Sequence, residues 1–209
     1  MDQTSKCTIY LTRHGHVENS DRNCFNGHFD ADLSPLGLEQ SKTVAKTLSE
    51  KPIKAVYSSD LKRSYKGAQE IARFHEIESI PLKELREISV GKWEGLTIDE
   101  VNEKFPGEIE RRFENIATSK VDGGETIEDA HNRVLPKLMS LIEKHQNQTI
   151  AIVAHGGVNR IFLCHLLEIP WKNIYRFKQS FTCINLIHYY PGFPIVEFIN
   201  NKNDAIHAL

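Results

Sequence analysis

The sequence predicts an α/β fold, a three-layer α/β/α sandwich with a mostly parallel central sheet and one small helical insertion. Three observations carry this reading. Strand-like and helix-like segments alternate along the chain, as they do when helices cover both faces of a sheet. The stretch Thr149 to Ala154 (TIAIVA) is almost wholly apolar, as expected of a strand covered on both faces. Two strands run directly into histidine–glycine pairs, at the carboxyl ends where open α/β sheets bind ligands.

The elements follow in order. Cys7 to Thr12 (CTIYLT) reads as a strand ending in Arg13-His14-Gly15. Asn19 to Asp32 is polar and reads as a loop. Ser34 can cap the first helix and Pro35 fits its first position. Leu38, Val44, Ala45 and Leu48 supply that helix's apolar stripe. Ile53 to Ser58 is a short strand, followed by a helix whose inner face is Leu61, Tyr65, Ala68, Ile71 and Ala72. Ile80, Leu82 and Leu85 lead into a turn containing Gly91.

Thr97 with Glu100 and Thr126 with Asp129 form two capping boxes. The first opens a charged helical insertion at about residues 97–122, expected to lie over the sheet edge, which reads either as a lid that shapes substrate choice or as a solvated helical pair. The second opens a long helix that Pro136 should kink, because proline lacks the donor for the helical bond. After TIAIVA comes His155-Gly156-Gly157 and a helix carrying Val158, Ile161, Phe162, His165 and Leu166. Cys183 to Tyr189 and Ile195 to Ile199 flank Pro191-Gly192 as a late hairpin at the sheet's edge. The strand near Cys183 to Tyr189 is thereby available to pair across a homodimer.

Composition narrows the function. The chain has 209 residues, expected to form one domain over 1–209, with 26 Lys and Arg against 28 Asp and Glu. This near-neutral balance argues against a dedicated nucleic-acid binder. No apolar run is long enough for a membrane span, so no membrane partner is expected. Met1 to Lys6 shows no basic region followed by an apolar stretch, so no signal peptide is expected. The four cysteines, Cys7, Cys24, Cys164 and Cys183, have no metal-ligand spacing and read as free thiols in a reducing, cytoplasmic setting.

If the strands are neighbours, three strand ends point His14, His155, Arg13 and Arg63 at one region. Arginine forks suit phosphoryl oxygens, and a neutral imidazole can attack phosphorus. A phosphoryl or other anion site explains the set. Buried structural histidines or a metal site are the alternatives, the latter disfavoured because arginine repels a cation and no HxH or HExxH pair appears.

At these residues the chain resembles the histidine phosphatase superfamily, in the phosphoglycerate mutase-like branch that includes small phosphatases such as α-ribazole phosphatase. The carrying motifs are Leu11 to Gly15, Leu33 to Gly37, Ser58 to Ser64, Leu85 to Ile88 with Gly91 to Gly95, Gly123 to Thr126, and Val153 to Gly157. The resemblance implies that His14, expected at a solvent-facing strand end, is the nucleophile that becomes phosphohistidine. It implies that Arg13, Arg63 and His155 complete the phosphate pocket, with Gly156 beside them, and that Glu87 is the general acid. It implies no metal or organic cofactor. The sequence departs from the family pattern after Gly15. Ser20 stands where the family has Asn, Asn19 lies one position early, and His16 replaces an acidic or amide residue. Asn19 or Ser20 would contact phosphate, and His16 either adds a donor to the site or bonds to its loop. Lys92, Arg86, Trp93 and the insertion are expected to frame the variable side of the pocket, although Trp93 equally fits plain packing.

The implied activity is hydrolysis of a small phosphorylated metabolite by a metal-independent phosphomonoesterase. The alternatives are a cofactor-dependent phosphoglycerate mutase or a non-catalytic phospho-ligand binding protein. The 27 residues between Gly95 and Gly123 contain no Tyr. The mutases resembled have a longer segment here, so the shortness favours hydrolysis.

Overall fold

The computed structural model describes residues 5–202, and residues 1–4 of the stretch read for a leader lie outside them. Six strands form one sheet: β1 (Cys7–Arg13), β2 (Ile53–Ser59), β3 (Ser79–Leu82), β4 (Thr149–Ala154), β5 (Ile184–Tyr190) and β6 (Phe193–Asn201). Their order is β3-β2-β4-β1-β5-β6. The first four are mutually parallel, and β5 and β6 add an antiparallel hairpin.

Helices cover both faces. On one side lie α1 (Pro35–Leu48) and α2 (Lys62–Phe74), and on the other α5 (Ile127–Lys144) and α6 (Gly156–Leu166). The alternation of β4 shows how the layers form. Ala151 and Val153 pack with Val44, Leu48 and Ile71, while Ile150, Ile152 and Ala154 pack with Leu138, Val158 and Phe162. Each such Ile or Leu contributes about 1.5–3 kcal/mol on burial. The middle of the sheet therefore has to be apolar on both faces.

Local signals act as expected at the helix ends. The Ser34 hydroxyl accepts from Gly37 N (3.1 Å) with Pro35 behind it, and both capping boxes form. The insertion contains α3 (Ile98–Lys104) and α4 (Glu108–Glu114). It packs on its own small cluster of Trp93, Val101, Val121 and Phe105.

Ile80 and Leu82, which the sequence leaves without an assigned element, belong to a strand, Ser79 to Leu82, where Pro81 is tolerated because β3 is an edge strand and needs no donor on its outer side. α5 (Ile127–Lys144) carries the exposed Pro136 inside it. The strand after Cys183 is not an edge: β5 is bonded to both β1 and β6, so the free edges are β3 and β6. Arg112, Phe113 and Ile116 of the insertion border a cavity that Arg13 and Gly156, at the ends of β1 and β4, also border.

The loop after β1 crosses the first turn of α1 at backbone distance. A Cβ on Gly37 would collide with the His16 carbonyl, and one on Gly15 with the Gly37 carbonyl. Gly37→Ala should lower stability by about 1–3 kcal/mol, as overpacking does against atoms that cannot move aside. A urea midpoint equal to that of the wild type would contradict this close packing.

Candidate active site

The parallel strands deliver the functional side chains in one place. β1 and β4 are adjacent, with Arg13 opposite Ala154, so the residues that follow them meet. His14 N donates to Ala154 O (3.0 Å), and the His14 and His155 rings stand 5.1 Å apart at 62°. β2 flanks β4 on the other side and leads to Arg63 in the first turn of α2. The neighbour condition on which the anion-site reading depended is met.

Three of the four groups are buried, and Arg13 is half-buried. His14 is 6% exposed, His155 0% and Arg63 1%. His14 is therefore not solvent-facing as expected, because His155 and the Phe181 ring, 5.7 Å away, cover it. Burial holds the His14 pKa well below the usual imidazole value, and the positive charges of Arg63 and Arg13 press in the same direction. His155 is lowered well below it for the same reasons in the same order, with His14 contributing as well. Both rings are neutral near neutral pH. His14 Nδ1 lies 2.7 Å from Gly15 O. A carbonyl can only accept, so Nδ1 carries the proton and Nε2 keeps its lone pair.

The arginines are held by carbonyls, not carboxylates. Arg63 donates to Gly27 O and Phe29 O, both at 2.7 Å. Arg13 donates to Gln179 O (2.6 Å) and lies 4.1 Å over the Phe181 ring. The Nε of each arginine is buried without a partner, as are both ring nitrogens of His155. Buried donors of this kind normally find an acceptor, and an anion with several oxygens has the acceptors that such a cluster lacks. The amino end of α6, opening at Gly156 beside Arg13, adds its dipole to the same field.

Glu87 reaches this region from the irregular segment after β3. Its carboxylate accepts from Ile88 N (2.9 Å) and Gly157 N (3.0 Å), so it is fixed against the start of α6. Gly157 has to be glycine here, because a Cβ would collide with the Glu87 carboxylate. The segment itself is clamped by Arg133 of α5, which donates to the carbonyls of Glu84, Arg86 and Glu87 and pairs with Glu125 through both Nε and Nη2. Glu94 ties the other side, accepting from His28 N, Phe29 N and Val90 N. The sequence reading assigned no role to Arg133, to Gln179 or to Asn185, which bonds both Leu11 O and Gln179. Only Asn185 carries a local signal, as a polar residue inside the apolar run Cys183 to Ile187.

The remaining candidates are placed otherwise. Ser20 accepts from Val17 N, and the Asn19 amide exchanges two bonds with Asn26, so both serve the loop. His16 bonds Ser34 Oγ through Nδ1 (2.9 Å), which is the loop role and not a donor to the anion cluster. Arg86 and Lys92 do not frame the pocket: Arg86 is spent on a two-pronged pair with Asp60, and Lys92 pairs with Glu108. Trp93 is 2% exposed and packs against Phe25, touching the cavity only from beneath the insertion. That cavity, of about 250 Å³, borders Arg13, Glu87, Gly156 and Gly157 and extends to Arg112, Phe113, Arg160 and Tyr175. Among the described residues, no group of three or more His, Cys, Asp or Glu side chains is placed to hold a metal ion.

Residues 9–202 match the sequence profile of the Histidine phosphatase superfamily (branch 1). The chain belongs to that family. It is 33% identical over 180 residues to phosphoserine phosphatase 1 of Hydrogenobacter thermophilus, covering 86% of this chain and 85% of that one. It is 34% identical over 184 residues to a metal-independent phosphoserine phosphatase of Arabidopsis thaliana, covering 86% and 75%. A phosphoserine phosphatase variant of Entamoeba histolytica, solved in complex with phosphoserine, superposes with a TM-score of 0.82 at 26% identity over 94% of this chain and 98% of that one. As a histidine phosphatase superfamily member with these relatives, the chain is a phosphatase.

The neutral histidines give the pH dependence a definite sign. Their folded-state pKa values lie below the unfolded value of about 6.5. The unfolded chain thus takes up protons that the folded one refuses. The resulting stability is full above about pH 7 and is lost as pH falls below about 6.5. The Tm of the free protein should drop on going from about pH 7 to about pH 5, and His155→Asn should flatten that drop. An equally steep drop in the variant would contradict the assignment.

Proposed function

We propose that this phosphatase hydrolyses a small phosphomonoester through a phosphohistidine at His14, without a metal ion. The observation that carries the reading is the His14 tautomer. Nδ1–H is committed to Gly15 O, so Nε2 is a free nucleophile among buried donors that lack acceptors.

In this reading the phosphoryl oxygens take the unpartnered N–H groups of Arg13, Arg63 and His155. These donors stabilise the charge as it spreads over the oxygens in the transition state. Nε2 forms a bond to phosphorus while the ester P–O bond breaks. Glu87, in its protonated form, gives its proton to the leaving oxygen. Water then attacks phosphorus, Glu87 takes up the water's proton, and the P–N bond breaks to release phosphate and neutral His14. Two findings support hydrolysis over transfer to a second substrate: the short segment after Gly95 and the phosphatase names of the relatives. Metal independence is supported by the printed name of the Arabidopsis relative and by the arginines, which repel a cation.

Phosphate release from a panel of small phosphomonoesters, with excess EDTA present, tests the reading. Turnover should persist in EDTA and vanish in His14→Ala. Glu87→Gln should slow alkyl phosphates by about 10²–10⁴-fold, the usual worth of a positioned acid, and slow p-nitrophenyl phosphate far less, since its leaving group needs little protonation. Activity that requires Mg²⁺, survives His14→Ala, or falls equally on both ester types in Glu87→Gln would overturn the corresponding part.

A further inference from the structure

Arg63 and Arg13 belong to the same cluster but are held differently. Arg63 donates through both terminal nitrogens, to Phe29 O and Gly27 O, which fixes its place and its plane together. The Arg13 guanidinium has one hydrogen bond among the described residues, from Nη1 to Gln179 O. A single bond fixes a point and leaves the plane free to turn about it. A planar guanidinium delivers its donors to phosphoryl oxygens only in a set orientation, so a second contact has to supply the plane.

The Phe181 ring makes that contact. Its centroid lies 4.1 Å from Arg13 Cζ, inside the range of about 6 Å over which a ring face attracts a cation. The ring also stands 5.7 Å from the His14 ring and 5.5 Å from the His16 ring, which is tied in turn to Ser34 Oγ. The turn that carries Phe181 is fixed from several directions. Thr182 N donates to Arg13 O and His14 O, Cys183 N to Ser180 O, and Ser180 N to Asn200 Oδ1. These bonds hold Thr182 at a φ of +55°, which a β-branched residue rarely adopts. Beneath the turn, the buried Gln179 side chain bonds the buried amides of Asn159 and Asn185. The ring and the carbonyl that hold Arg13 are thus fastened both to the end of β1 and to the core. The chemistry of the contact matters as well. A carboxylate would hold the guanidinium but would take the donors an anion needs. A ring face takes none, and Arg13 Nε keeps no protein partner.

We propose that Phe181 is a positioning residue for phosphoryl transfer, its face setting the plane in which the Arg13 guanidinium meets the phosphoryl oxygens. The inference rests on the phosphatase reading and adds to it a residue that acts through Arg13. Donors fixed in advance are worth more to a transition state than donors that must first be oriented. The ring therefore contributes to catalysis although it carries no polar atom.

Three variants test this, read by the Kd for inorganic phosphate in titration calorimetry and by kcat/KM for p-nitrophenyl phosphate. Phe181→Leu keeps an apolar side chain and removes the ring face. It should weaken phosphate binding and lower kcat/KM, each by about tenfold, the size of a partly desolvated cation–ring contact. Phe181→Tyr keeps the face and should stay close to the wild type in both. In an Arg13→Lys background the leucine substitution should cost little further, because the group it acts through is gone. A purely structural role would give the same loss in either background. Phe181→Met serves if Phe181→Leu fails to fold. Wild-type values in Phe181→Leu, an equal loss in Phe181→Tyr, or an undiminished loss beside Arg13→Lys would overturn the positioning role while leaving the phosphatase reading intact. No release by the wild type from p-nitrophenyl phosphate or any other phosphomonoester would instead defeat the phosphatase reading, and the positioning role with it.

Discussion

Arg63 is buried and Arg13 half-buried beside two histidines, neither arginine in an ion pair with a carboxylate among the described residues, and much of the surrounding structure follows from that constraint. A charge taken from water needs partners, and here backbone carbonyls serve. Gly27 O and Phe29 O belong to the loop before α1, and Gln179 O to the segment before β5. Those segments have to be held rigid in turn. Glu94 pins the first through His28 N and Phe29 N. Asn159 and Asn185 pin the second through the Gln179 side chain. A carboxylate in place of these carbonyls would have weakened the positive field that, after burial, helps keep His14 and His155 neutral.

The arrangement is unfavourable to folding. The Nε atoms of Arg13 and Arg63, both His155 nitrogens and Asn159 Oδ1 are buried without a protein partner, and an unmatched buried polar group costs free energy. The apolar layers on both faces of β4 offset this cost. In the proposed mechanism an anion that satisfies the donors recovers part of it, which is how donors fixed in advance serve charge that develops in a transition state. Function and stability are thus opposed within one small volume, while Arg133, Glu94 and Gln179 keep that volume from relaxing.

Much of the fold was legible in the sequence because its signals are local. The apolar run of β4, the Ser34-Pro35 start and the Thr97 and Thr126 capping boxes each depend on residues within one or two turns. β3 was not legible because it is four residues long and carries Pro81, which an edge strand tolerates. The edge position assigned to the strand after Cys183 failed because β6 adds beyond it. In the site, the residues at strand ends were readable, since topology alone brings His14, His155 and Arg63 together. Glu87 came from its motif. The supports were not readable: Arg133 acts on carbonyls 46 to 49 residues away, and Asn185 on Leu11 O, 174 residues away. Nor does local pattern say that Arg86 is consumed by Asp60.

The central claim is that His14 Nε2 takes the phosphoryl group. The most direct measurement is to quench the enzyme in alkaline denaturant during turnover of a phosphomonoester and locate the phosphorylated residue by mass spectrometry. The account predicts phosphate on His14, stable in alkali, labile in acid and absent from His14→Ala. Steady turnover with no phosphate on His14, or with phosphate on another side chain, would contradict it.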